Sequence, residues 1–134
     1  MIREIVMDKN MLELNPQGDH AFPFNCMHIS LLDYPTGSFP YHWHPEIEIT
    51  FILKGTMTYQ VNQSSFLLKQ DDCVFVNQNS LHAGSAYEAS DCEYVCFMFN
   101  PSMVYAFEHS TLYTQYVAPI LETRQFDHAI FQKG

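Results

Sequence analysis

Positive charge is scarce in this chain. Its 134 residues carry six Lys and Arg against fifteen Asp and Glu, a formal net charge of −9. The six cations (Arg3, Lys9, Lys54, Lys69, Arg124 and Lys133) stand singly along the sequence. No basic patch is available for phosphates, so the chain by itself is not expected to bind nucleic acid. Long apolar runs are missing as well. The N-terminus, MIREIVMDKN, lacks the apolar stretch of a signal peptide. No segment reaches the roughly 18 to 20 apolar residues of a membrane span. The four cysteines, at 26, 73, 92 and 96, match neither a CxxC redox motif nor a zinc knuckle. They read as small buried thiols in a reducing compartment, and the expected location is cytoplasmic, with no membrane partner. Internal repeats, low-complexity tracts, phosphate-cradling glycine loops and nucleophile triads are also absent from the sequence.

What is present is a chain that folds. An apolar fraction of 47% with 15% aromatic residues indicates one globular domain. From about residue 25 to residue 100 the signals are β: NCMHISLLDY, EIEITFILK, MTYQV, SFLLK, CVFV and CEYVCFMFN. Turn residues separate these runs at PTG (35–37), KGT (54–56), NQS (62–64), QDD (70–72) and NQNS (77–80). Short strands with such frequent turns predict a sandwich or a small barrel. A hairpin pairing 47–54 with 57–61 is expected across Gly55 and Thr56, because glycine takes the positive φ of a tight turn. After Asn100 the pattern becomes helical. Asn100 and Pro101 suit a helix start, with Met103, Val104 and Phe107 at helical spacing. TLYTQYVAPILE predicts a second helix, ended or kinked at Pro119. The tail FDHAIFQKG offers no closing element.

The segment YHWHPEIEITFILKG carries the chemistry. Strand alternation puts His42, His44, Glu46 and Glu48 on one face and Trp43, Ile47, Ile49, Phe51 and Leu53 on the other. If the polar face is interior, its imidazoles and carboxylates must pair with each other, a metal, waters or a ligand. Two histidines and a carboxylate suit first-row divalent ions. His82, following a short strand and a turn, is placed to return beside them. Glu46 reads as a solvated rim residue and Trp43 as packing in the core or at a dimer face. His28, on the polar face of its strand, is a further candidate for the pocket; His20, His109 and His128 read as surface or helix residues. Tyr87, Tyr94, Phe97 and Phe99 each read first as barrel core and second as candidate cavity walls.

The pattern His42-x-His44-xxx-Glu48-xxxxxx-Gly55 resembles the first cupin motif, and His82, eleven residues after Asp71, resembles the second. In the second motif the customary Gly, Pro and Gly positions hold Asp71, Asn77 and Asn79. That resemblance implies metal ligands at His42, His44, Glu48 and His82. With its flanks, HWHPEIEITFILKGTMTYQVNQSSFLLKQDDCVFVNQNSLHAG is similar to the N-terminal ligand-sensing domain of AraC-family transcription regulators. The similarity implies a mainly β fold, a small cupin-type (double-stranded β-helix) barrel with a C-terminal α-helical appendage. It divides the chain into an N-terminal arm and first strand (1–24), the barrel (25–100) and the appendage (101–134), leading to a DNA-binding domain that this sequence does not contain. It also implies a small, sugar-like effector in the barrel and a homodimer. On that reading His42, His44, Glu48, His82 and His28 line the effector pocket, no cofactor is required and no residue is catalytic. The alternative is a stand-alone cupin metalloenzyme, a dioxygenase or isomerase, holding a divalent metal on the three histidines and Glu48.

Overall fold

The computed structural model describes residues 2–105, 107–123 and 125–133. Among these residues eight strands are formed: β1 (Phe24–Ser30), β2 (Ser38–His42), β3 (Ile47–Val61), β4 (Ser64–Lys69), β5 (Cys73–Val76), β6 (His82–Ala86), β7 (Cys92–Phe99) and β8 (His128–Phe131). All strand pairs are antiparallel. One sheet runs β1-β7-β3-β5-β8; β2, β6, β3 and β4 make the facing one, and β3 belongs to both.

The long β3 replaces the hairpin expected at Gly55. Its first half pairs with β5 and β7, its second half with β4 and β6. Gly55 does take the left-handed conformation, φ +88°, and a Cβ there would collide with the Asp91 carbonyl. The glycine is therefore needed, but to carry one strand from sheet to sheet. The register against β7 shifts between Ile52 and Lys54, and the inward phase changes with it. Glu48, Thr50 and Ile52 are buried before the bend, and Met57, Tyr59 and Val61 after it. The actual hairpin joins β3 to β4 across Asn62 and Gln63, with Asn62 at φ +49°. Between the sheets Ile52, Met57, Tyr59, Leu68, Val74 and Val76 are fully enclosed, each large aliphatic side chain contributing roughly 1.5–3 kcal/mol.

Two positions where the cupin pattern customarily has glycine show why other residues serve here. Asp71 has φ +73° and Asn79 φ +62°. Asn and Asp tolerate this region best among residues with a Cβ. The third position, Asn77, is buried and holds the C-terminal segment on the barrel. Its amide donates to the carbonyls of Ile120 (2.8 Å) and Phe126 (2.9 Å).

After β7, helix is scarcer than expected. Asn100 does cap, its side chain accepting from the Ser102 N–H, but only a 3-10 turn at Pro101–Met103 follows. Met103, Val104 and Phe107 stay exposed instead of forming a packed face. The second stretch is a π-helical segment, Leu112–Val117, running into α1 (Ala118–Leu121). Pro119 has no N–H and its ring excludes a normal α turn before it. The Ala118 N–H accordingly bonds five residues back, to the Tyr113 carbonyl. The tail closes after all: β8 pairs with β5, His128 opposite Val76. Tail and barrel share one sheet because HAIF continues the strand alternation across the edge that β5 leaves open.

The N-terminal arm folds back on the barrel mouth. Met7 bridges Glu13, and Leu12 bridges Trp43 in parallel. The Glu13 N–H donates to the Trp43 carbonyl (2.9 Å) and the Trp43 N–H to the Met11 carbonyl (3.0 Å). Trp43 is half-buried beneath this arm, its Nε1 donating to the Asn10 carbonyl at 2.9 Å.

Replacing Asn79 by Val should destabilise the fold by about 1–2 kcal/mol in urea titration, the cost of a left-handed residue with a Cβ, while Asn79→Gly should be close to neutral.

Candidate functional site

Three buried histidines and a carboxylate meet at the end of the barrel covered by the arm. His42 ends β2 and lies opposite His82, the first residue of β6. His44 follows in the short link to β3, whose carbonyl accepts from the Asn79 N–H at 2.8 Å, and Glu48 lies at the start of β3. His42, His44, Glu48 and His82 are each 5% exposed or less. The polar face of the HxHxxxE segment is thus the inner face.

Each imidazole is fixed through one nitrogen. Nδ1 of His42 bonds the Pro40 carbonyl (2.8 Å), that of His44 the Glu46 carbonyl (3.1 Å) and that of His82 the Ser80 carbonyl (2.8 Å). A carbonyl only accepts, so Nδ1 carries the proton in all three, and in the neutral ring Nε2 presents its lone pair. Ligand atoms of the three rings lie within 4.8 Å of one another. Glu48 completes the set, its Oε1 3.4 Å from His44 Nε2 and its Oε2 3.5 Å from His82 Nε2. Those contacts are too poor to count as hydrogen bonds, and both Nε2 atoms are buried without a partner. Tyr59 donates to Glu48 Oε2 at 2.8 Å.

The electrostatics follow from burial and crowding. Burial, with the neighbouring His82, pushes His42 down to about 3, so it is neutral at ordinary pH. Burial also lowers His44, but the Glu48 carboxylate beside it outweighs this and holds it above the ordinary imidazole value. Glu48 loses hydration on burial, yet the His82 and His44 imidazoles overcome that and keep it well below the usual carboxylate range. Buried Cys96, on β7, is pushed far up by burial first and then by Glu48, so its thiol stays protonated.

These residues fit a divalent metal ion. Two orphaned buried Nε2 atoms, a third imidazole and an ionised carboxylate form a donor set suited to first-row metals, and the Nδ1–carbonyl bonds supply the orienting contacts such ligands ordinarily have. The space beside the cluster is small. An interior cavity of about 30 Å³ is lined by Ile5, Glu13, His42, Glu48, Tyr94 and Cys96 among others. By that measure it holds about two waters. While the arm lies across the mouth, no organic effector fits beside the histidines.

The structure brings four of the five expected pocket residues together. His28 is the exception. It points outward from β1 with 61% of its side chain exposed, 3.6 Å from Glu93, because the inward phase of that strand belongs to Met27 and Ile29. Glu46 is more enclosed than a rim residue, its side chain 18% exposed and its Oε1 3.8 Å from His44 Nδ1. Tyr94 walls the cavity, whereas Phe97 and Phe99 sit on the outward phase of β7 and Tyr87 is exposed. His20 and His109 are at the surface, and His128 lies on β8, stacked on Phe66. Cys92 and Cys96 are buried as expected, but Cys26 is exposed and Cys73 half-buried. The sequence reading missed Glu13 and Tyr59. Tyr59 carried a signal, since a strand tyrosine between buried Met57 and Val61 needs a partner for its hydroxyl. Glu13 carried none.

A model of the AraC-like ligand binding domain matches residues 29–132. The chain belongs to the AraC-like ligand binding domain family. An uncharacterized HTH-type transcriptional regulator, YdeC of Bacillus subtilis (strain 168), is 32% identical over 120 residues, covering 90% of this chain. The chain spans about 40% of that relative's length. Among solved structures, the DMSP lyase DddQ of Ruegeria pomeroyi overlays with a TM-score of 0.51 at 24% identity, over 58% of this chain and 39% of the lyase. A double-stranded β-helix cupin of Methanocaldococcus jannaschii gives 0.51 at 21% identity, over 58% of this chain and 71% of that one. These likenesses show the cupin fold. Within this AraC-like domain the family match begins in β1, so the arm that covers the site lies N-terminal to it.

Arm docking in this AraC-like domain should depend on pH through Glu13. Burial is the main cause that lifts its carboxyl from 4.5 to about 7, with His44 opposing and Glu48 adding. The docked arm therefore takes up a proton. Its docking is strongest below about pH 4.5 and fades as pH rises through about 7. Emission of Trp43, the single tryptophan, should report this in chelator-treated protein, and Glu13→Gln should flatten the response.

Proposed function

We propose that the chain is the effector-sensing and dimerisation domain of an AraC-type transcription regulator that answers to a small polar, sugar-like metabolite. The observation that carries this reading is the family match across the barrel, residues 29–132. The arm supports it, because it lies over the barrel mouth, where a ligand with unequal affinity for docked and free arm would bias it. A ligand shifts that equilibrium only by its difference in affinity for the arm-docked and arm-free forms. DNA binding belongs, on this reading, to another part of the regulator.

The residues have defined tasks. The Pro40, Glu46 and Ser80 carbonyls hold the rings of His42, His44 and His82 with their lone pairs inward. Tyr59 keeps Glu48 oriented. A metal ion bound there would supply a Lewis-acidic centre for an oxygen ligand. The hydrophobic walls exclude bulk water from the cluster. Dimerisation is supported by Leu112, Tyr116 and Ile120, which follow one another at spacing four and are 44%, 64% and 42% exposed. Exposed apolar side chains in such a row suit helix-to-helix contact.

A metalloenzyme is the second reading, favoured by the orphaned Nε2 atoms of His44 and His82. Protein purified without chelator separates the two. A sensor should show a melting temperature that rises with a metabolite. Stoichiometric iron, manganese or nickel that His44→Ala abolishes, with no response to metabolites, favours the enzyme. For the dimer, Tyr116→Glu should convert it to monomer in sedimentation while leaving the barrel folded by circular dichroism.

A further inference from the structure

A second cavity, of about 350 Å³, lies where the arm meets the barrel. Five of its polar residues come from the N-terminal segment (Arg3, Glu4, Glu13, Asn15 and Gln17), Glu4 being solvent-exposed, and two come from the barrel side (Asn25 and Tyr34). It adjoins the small interior cavity, with which it shares Glu13 and Tyr34. In volume it reaches the lower end of ordinary metabolite pockets, whereas the space beside the histidines does not.

The groups in this cavity are arranged but incompletely used. Asn25 Nδ2 donates to Gln17 Oε1 (3.0 Å), and Gln17 Nε2 donates to Glu13 Oε2 (3.1 Å). This relay fixes one oxygen of Glu13 and leaves the other for a polar group of a ligand. Arg3 is poorly satisfied. Its Nε is buried without a partner, one terminal nitrogen reaches the Met27 sulfur at 3.8 Å, and the other reaches the His28 carbonyl at 3.4 Å. Among the described residues its side-chain contacts are this weak, and a guanidinium so held gains from turning toward a carboxylate, which it binds through two parallel hydrogen bonds.

We infer that the arm–barrel cavity is the effector site, and that it takes a small carboxylate with a hydroxyl or amino group on the neighbouring carbon. The carboxylate pairs with Arg3, and the neighbouring donor bonds Glu13. A neutral sugar leaves the guanidinium without a charge partner. Because arm and barrel both line the cavity, a ligand there bridges them and holds the arm down. The inference rests on the sensor reading above and narrows its ligand class.

The test is thermal melting and calorimetry of the chain with D-gluconate, L-lactate and L-serine, against D-glucose and L-arabinose. At least one acid should stabilise the protein and bind. Arg3→Gln should weaken that binding at least about tenfold, the scale of a lost hydrogen bond to a charged group. Asn25→Ala, on the barrel wall, should weaken it too. Equal binding by Arg3→Gln and wild type overturns the inference. Stabilisation by the sugars and not the acids overturns it as well, and leaves the sensor reading in place. If none of the five compounds stabilises the chain, the inference is overturned, while the sensor reading still stands on the family match over residues 29–132.

Discussion

Glu48 is the charge around which the interior is arranged. It lies between Nε2 of His44 and Nε2 of His82, with the Tyr59 hydroxyl on one of its oxygens, and it is 5% exposed. A carboxylate this deep is tolerable only because these groups offset its lost hydration. Its neighbours are constrained in turn. The histidines cannot rotate to find better partners, since each Nδ1–H is already committed to a backbone carbonyl two residues away. The cluster is therefore held in one geometry with two nitrogens unsatisfied, a state suited to receiving a cation. Polar groups held fixed before any ligand arrives need little reordering when one binds.

The arm extends this logic to the barrel mouth. Two backbone hydrogen bonds tie it to Trp43, the residue between His42 and His44, so the segment that presents these two histidines also docks the arm. Glu13 rides on the arm and faces both the interior cavity and the larger space at the junction. A change of charge at the cluster is thus felt by the docked arm. That coupling needs no long pathway, because the arm bonds to the residue between two of the histidines and shares a cavity wall with the cluster.

Much of the fold was legible because its signals are local. The turn residues at 62–64, 70–72 and 77–80 mark real turns, and the period-2 alternation of HxHxxxE put three ligand-type side chains on one face. Gly55 announced a positive φ but not its use. A glycine in the left-handed region serves a hairpin or a strand that changes sheets, and only the partners of β3 distinguish them. The C-terminal strand escaped notice because HAIF is too short to signal a strand without the β5 edge beside it. The extended helices expected after Asn100 gave way to a 3-10 turn and a single interrupted helix, where Pro119 overrides the apolar spacing.

Sequence alone determined the donor types, their shared face and the membership that the cupin-like spacing suggested. Tertiary structure decided which face is interior, and it brought His82 opposite His42 through the register of β2 on β6. It also turned His28 away and brought in Glu13, which no motif marks. The physical reason is range. Alternation, turn conformation and capping depend on a few neighbouring residues, whereas strand partners, the phase change at Gly55 and the docking of the arm depend on contacts across the whole barrel.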